Sequence, residues 1–91
     1  MRPETKRSVR SRLARIEGQV RGLVQMVDQD RYCLDLVTQL RAAKAALAKV
    51  EQVVLADHLG SCVEAAISSG DSAKQREKVA ELIDVFSRSD R

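Results

Sequence analysis

The sequence predicts an all-α subunit of three helices with one long central helix. Three observations carry that expectation. Apolar residues recur at steps of three and four. The single proline is Pro3, near the start of the chain. Turn-forming residues cluster at two places only, "DQDR" and "SSGDS".

The first helix carries Val9, Leu13, Ile16, Val20, Leu23 and Val27 as an apolar stripe. Pro3 suits its first turn, where a missing N–H does no harm. "DQDR" reads as a short connection, with Asp30 as N-cap of the next helix. From Tyr32 to Ser69 nothing forces a stop, since the stretch has no proline and one internal glycine, Gly60. Cys33, Leu36, Leu40, Ala43, Leu47, Val50, Val54, His58 and Cys62 advance by three or four, which predicts one helix of about 36 residues. Gly70 is expected at C′, and Asp71 or Ser72 as the cap of a third helix, with Ser72 and Gln75 at capping-box spacing. That helix sets Val79, Leu82, Ile83 and Phe86 on one side.

Composition narrows the class. The 91 residues are 44% hydrophobic, yet include one Phe, one Tyr and no Trp, so the core is expected to be Leu, Val, Ile and Ala. A chain this short forms one small domain, residues 1–91, and buries little surface alone, which favours self-association. Leu34, Val37, Val53, Leu55, Leu59, Val63 and Ile67 fall off the main stripe of the long helix, and another chain is expected to cover them. There is no long apolar run and no signal-peptide pattern, so the expectation is a soluble, cytoplasmic protein without a membrane partner. In that compartment two cysteines are thiols or metal ligands rather than a structural disulfide.

The net charge of +3 is unevenly placed. Residues 1–22 hold seven basic side chains against two acidic ones, and the remainder is slightly acidic. A local basic excess points to a polyanion. Arg7 and Arg10 form one i, i+3 pair and Arg12 and Arg15 another, with Arg21 about three turns beyond Arg10. Arg41, Lys44 and Lys49 lie off the Cys–His stripe. No helix-turn-helix or zinc-finger spacing is visible, and no aromatics interleave with the basic residues, which disfavours single-strand stacking. Duplex phosphates are the expected target, read with strong salt dependence and by groove shape. Arg10, Arg12, Arg15, Arg41, Lys44 and Lys49 are the candidate DNA contacts. Any one of them could equally be a solvated surface charge.

The chain's soft metal ligands are Cys33, His58 and Cys62. His58 and Cys62 are i and i+4, one turn apart on one face. Cys33 lies 25 residues before His58, about 38 Å along an unbroken helix, whereas a metal bond is ~2.0–2.3 Å long. Cys33 therefore cannot join the pair within one subunit. An antiparallel second copy can supply it, with a twofold axis near residues 45–48, where "AAKAALA" allows close approach, and with two equivalent sites per dimer. Taken singly, a buried Cys is usually a small apolar residue and an alanine run is helix propensity. The coincidence of all three ligands on one stripe, symmetric about its small-residue centre, supports the site. Two thiolates and an imidazole favour Cu(I), with Zn(II) possible given a fourth ligand. Glu81 and Tyr32 are candidate outer hydrogen-bond partners.

The stretches "RLARIEGQVRGLVQMV", "RYCLDLVTQLRAAKAAL", "ADHLGSC" and "VAELIDVF" together resemble the CsoR/RcnR group of small helical bacterial repressors, over nearly the whole chain. The resemblance implies an antiparallel dimer with a four-helix core, usually paired again into a dimer of dimers. It implies one Cu(I) per subunit, bound by a Cys of one chain and a His and Cys of its neighbour. Those positions match Cys33, His58 and Cys62, with Tyr32 and Glu81 matching the outer shell. The nickel- and cobalt-sensing branch has His where Cys62 stands. The formaldehyde-sensing branch lacks the second Cys, and the persulfide-sensing branch lacks the His. The implied function is a Cu(I)-responsive repressor, not an enzyme. Its apo form holds double-stranded operator DNA, and copper releases it to derepress copper-resistance genes. One departure is Lys49, where the group often has arginine, since lysine cannot form a bidentate fork. Two other readings use the same residues: a thiol or persulfide redox-sensing repressor pairing Cys33 with Cys62, and a copper-buffering protein.

Overall fold

A computed structural model describes residues 1–89. It contains α1 (Pro3–Asp28), α2 (Cys33–Ser69) and α3 (Ser72–Ser89). By compactness the chain divides into two units, Met1–Leu55 and Ala56–Arg91, and α2 contributes to both. At 37 residues α2 is three times the usual helix length.

In the first unit, Pro3 opens α1 at its first position, and the Lys6 N–H closes the first turn on the Arg2 carbonyl at 2.9 Å. Val9 and Ile16 of α1 pack on Val50 of α2, with Ala46, Val53 and Val54 against that cluster. The α2 stripe expected as one surface is thus divided. Ala43 and Val50 are buried, whereas Leu40 and Leu47 remain about half exposed. Part of the alanine run therefore serves α1–α2 packing: Ala43 is buried and Ala46 borders the core, while Ala42, Ala45 and Ala48 stay on the surface. Leu13, Val20 and Val27 of the α1 stripe are also exposed. One helix laid on another covers one side of each, and these residues lie beyond that side.

Asp30 does not cap α2. Its φ of 54° puts it in the left-handed region, where it ends α1. The Arg31 N–H bonds the Met26 carbonyl at 3.0 Å and the Asp30 N–H bonds the Val27 carbonyl at 3.1 Å. That pair of bonds is the Schellman closure, with Asp30 in the place usually held by glycine. α2 begins at Cys33, and the Tyr32 carbonyl accepts from Asp35 and Leu36 N–H.

In the second unit, Gly70 takes the C′ position with φ 68° and its N–H bonds the Ile67 carbonyl. The Ser69 hydroxyl donates to the Ala66 carbonyl at 2.7 Å and accepts from the Asp71 N–H at 3.1 Å. Asp71 is the N-cap of α3: its Oδ1 accepts from the Ala73 N–H at 2.9 Å. Ser72 is then inside the helix, and the Ser72–Gln75 capping box does not form. Gln75 instead donates its side-chain amide to the Ala66 carbonyl at 3.4 Å. Ala66 is buried and Leu82 half-buried, but Val79, Ile83 and Phe86 are more than half exposed. The expected apolar side of α3 is only partly covered within its unit.

Candidate metal centre

The site is built on one turn of α2 and one turn of α3 within the second unit. The four-residue spacing brings Cys62 Sγ within 3.9 Å of His58 Nδ1 and 3.7 Å of Nε2. Glu81 reaches the pair from α3, with Oε1 3.0 Å from His58 Nε2. Lys78, one turn earlier on α3, donates from Nζ to Glu81 Oε2 at 3.1 Å. The His58–Glu81 contact expected from sequence is therefore made. Lys78 was not anticipated, although its i, i+3 spacing from Glu81 is legible in the sequence.

The electrostatics follow from these contacts. The hydrogen bond from His58, then the one from Lys78, holds the Glu81 carboxyl below the usual carboxylate range. The same bond to Glu81 raises the Lys78 ammonium above its ordinary value. An ionised carboxylate only accepts, so the imidazole proton belongs on Nε2 and donates to Glu81. Nδ1 is then left with a free lone pair, and Cys62 Sγ lies 3.9 Å from it, slightly farther than from Nε2. Two metal bonds of ~2.0 and ~2.3 Å, opened between tetrahedral and trigonal angles, span about 3.5–3.7 Å. The observed 3.9 Å between Nδ1 and Sγ is within a few tenths of that bite, so the separation matches two donors to one soft ion.

Cys33 is a free, exposed thiol at the start of α2, and Tyr32 beside it is 65% exposed. Among the described residues no group of three or more His, Cys, Asp or Glu side chains is placed to hold a metal ion within the one chain. Of the candidate DNA contacts, Arg10, Arg15, Arg41, Lys44 and Lys49 are exposed. Arg12 is half-buried and donates from Nε to Ser8 Oγ at 3.3 Å. Arg21 is tied to Glu17 at 2.7 Å. No helix of the described residues is long and apolar enough to cross a membrane.

Residues 5–88 match the family model described as metal-sensitive transcriptional repressor. The chain is 46% identical over 83 residues to the copper-sensing transcriptional repressor CsoR of Bacillus subtilis strain 168, covering 91% of this chain and 79% of that protein. Its fold matches the crystal structure of the copper-sensing repressor CsoR with Cu(I) from Geobacillus thermodenitrificans NG80-2. The TM-score is 0.85 at 37% identity, over 100% of this chain and 92% of the other. It also matches the nickel-responsive transcriptional regulator InrS with a TM-score of 0.78 at 33% identity, over 90% and 89% of the two chains. The chain belongs to the metal-sensitive transcriptional repressor family, whose members are regulators of transcription rather than enzymes.

Proposed function

We propose that this chain is a Cu(I)-responsive repressor acting as a homodimer or a dimer of dimers in the cytoplasm, with residues 1–91 as one metal-sensing, DNA-binding domain. Cys33 of one chain and His58 and Cys62 of another would hold one copper ion per subunit. Bound Cu(I) would supply strong, low-coordinate bonds to thiolate and imidazole that tie residues of two chains together. The fold matches a nickel-responsive regulator nearly as well as a copper-sensing one, so the donor chemistry selects the metal. A single histidine and two cysteines suit a soft monovalent ion better than Ni(II).

The observation that carries the reading is the Cys62–His58–Glu81 arrangement. His58 stands between a soft donor on its own helix and a carboxylate on α3, with Nδ1 left for the ligand. A shift of His58 is felt at Glu81, and through it by α3. Unbroken α2 supports the two-chain assignment, because the reach argument needs an uninterrupted helix between Cys33 and Cys62. The exposed apolar residues on α1, α2 and α3 support subunit association. Arg10, Arg12, Arg15, Arg41 and Lys49 are the proposed contacts to duplex operator DNA, and the apo form is the DNA-binding state. Negative coupling requires that copper favour the state with lower DNA affinity.

The test is fluorescence anisotropy on labelled operator DNA under anaerobic reducing conditions, titrated with Cu(I), Zn(II) and Ni(II). Stoichiometric Cu(I) should weaken binding ~100-fold, within the usual range of allosteric coupling. Equal release by Ni(II), or none by Cu(I), would contradict the proposal.

A further inference from the structure

Lys44 and Glu51 are both exposed on α2, and neither has a partner among the described residues of its own chain. Cys33 precedes Lys44 by eleven residues, Lys44 precedes Glu51 by seven, and Glu51 precedes Cys62 by eleven. Eleven and seven are close to three and two whole turns, so Lys44 and Glu51 fall on the side of α2 that carries Cys33 and Cys62. Contrary to the expectation from sequence, Lys44 is not off the Cys–His stripe, unlike Arg41 and Lys49. The spacing is the same read from either end, with the charge reversed. Leu40 and Leu47, which bracket Lys44, are 49% and 48% exposed.

We propose that Lys44 of one subunit and Glu51 of a second copy form an ion pair, made twice about the dimer axis, which fixes the register of the antiparallel α2 helices. This rests on the two-chain copper site proposed above. The shared site sets Cys33 level with residues 58–62 of the second copy, and at the end of that range where Cys33 faces Cys62, Lys44 lies opposite its Glu51 and Glu51 opposite its Lys44. A parallel dimer in register would set lysine against lysine and glutamate against glutamate. Sliding one helix by a turn would move each charge about 5.4 Å from its partner. The apolar residues supply adhesion without direction, and the charges supply direction and register. The flanking leucines exclude water and strengthen each pair beyond an open surface contact. Lys44 is thereby assigned to the subunit interface rather than to DNA.

The test compares the native chain with Lys44→Glu, Glu51→Lys and the double exchange, metal-free and reduced, by sedimentation equilibrium. Each single variant places like charges opposite one another at two symmetric positions and should raise the dimer dissociation constant about tenfold. The double exchange restores opposite charges only in the antiparallel register and should return to within about threefold of native. The single-variant losses should shrink in 1 M salt, where the Debye length is ~3 Å. Helicity by circular dichroism verifies folding of each variant. Four proteins that associate alike, or a double exchange as weak as the singles, overturn the pairing. The copper site is tested apart, by mixing Cys33→Ala chains with Cys62→Ala chains, since a mixed dimer retains one complete ligand set. A mixture that binds Cu(I) while the charge variants associate alike rejects the ion pair alone. A mixture that binds none rejects the shared site and the register argument with it.

Discussion

Glu81 Oε1 accepts a hydrogen bond from His58 Nε2 at 3.0 Å, and this contact joins the candidate metal ligands on α2 to α3. It follows that affinity for metal and response to metal are separable. Glu81→Ala removes the link but leaves His58 and Cys62 in place. Copper affinity should fall by roughly 10–100-fold, as for other lost partners of ligating histidines. Apo DNA binding should be unchanged. Under saturating copper, the variant should retain much of its DNA affinity. His58→Ala should abolish the response while sparing apo DNA binding. Paired copper-competition and DNA-anisotropy titrations measure both quantities.

The same carboxylate gives a pH signature. Its folded pKa lies below the unfolded value, because His58 and Lys78 favour the charged form. Its contribution to stability is present above the ordinary carboxylate range and is lost as pH falls through the lowered value. Lys78 has the opposite sign: its raised pKa contributes below the ordinary lysine range and is lost as pH climbs through the raised value. Neither group changes stability between about pH 6 and pH 9. Thermal melts of the apo protein from pH 6 to pH 3 should show a decline that is shallower in Glu81→Gln. Identical slopes would mean that the contact contributes nothing in solution.

The turn between α1 and α2 predicts an effect with no contact behind it. Asp30 is exposed and holds φ 54°, a conformation that costs β-branched residues most. Asp30→Val should destabilise by about 1–2 kcal/mol. Asp30→Gly should lie within about 0.5 kcal/mol of native, as relief of backbone strain offsets the greater entropy of the unfolded chain. Urea unfolding of the two variants measures the difference. Equal stability would show that the turn opens freely.

Much of this was legible in the sequence because helices leave local signals. Pro3, Gly70 and the 3–4 apolar steps placed all three helices, and i, i+4 spacing placed Cys62 beside His58. Asp30 was misread because an aspartate at a turn serves equally as an N-cap or as a left-handed C′ residue. Only the backbone bonds to Met26 and Val27 distinguish them. Ser72 and Gln75 had the capping-box spacing, but Asp71 stood one residue earlier and took the free N–H groups. Periodicity also could not divide the α2 stripe between α1 and solvent, because Ala43 and Leu47 are one turn apart and look alike to a hydrophobic period.

That division leads to a further test of association. Ile16 is 6% exposed in the core with Val9 and Val50, whereas Leu47 is 48% exposed within its own chain. Ile16→Ala removes packed methyl groups and should cost about 2–4 kcal/mol at any protein concentration. Leu47→Ala should cost well under 1 kcal/mol if the folded species is a lone subunit, because nearly half the side chain already meets water. If α2 pairs with a second copy near residues 45–48, Leu47 is buried there twice by symmetry. Its truncation should then lower the melting temperature and shift the concentration dependence of melting toward weaker dimers. Melts over a hundredfold range of protein concentration distinguish the two cases. A Leu47→Ala protein that matches native at every concentration would place the interface elsewhere on α2.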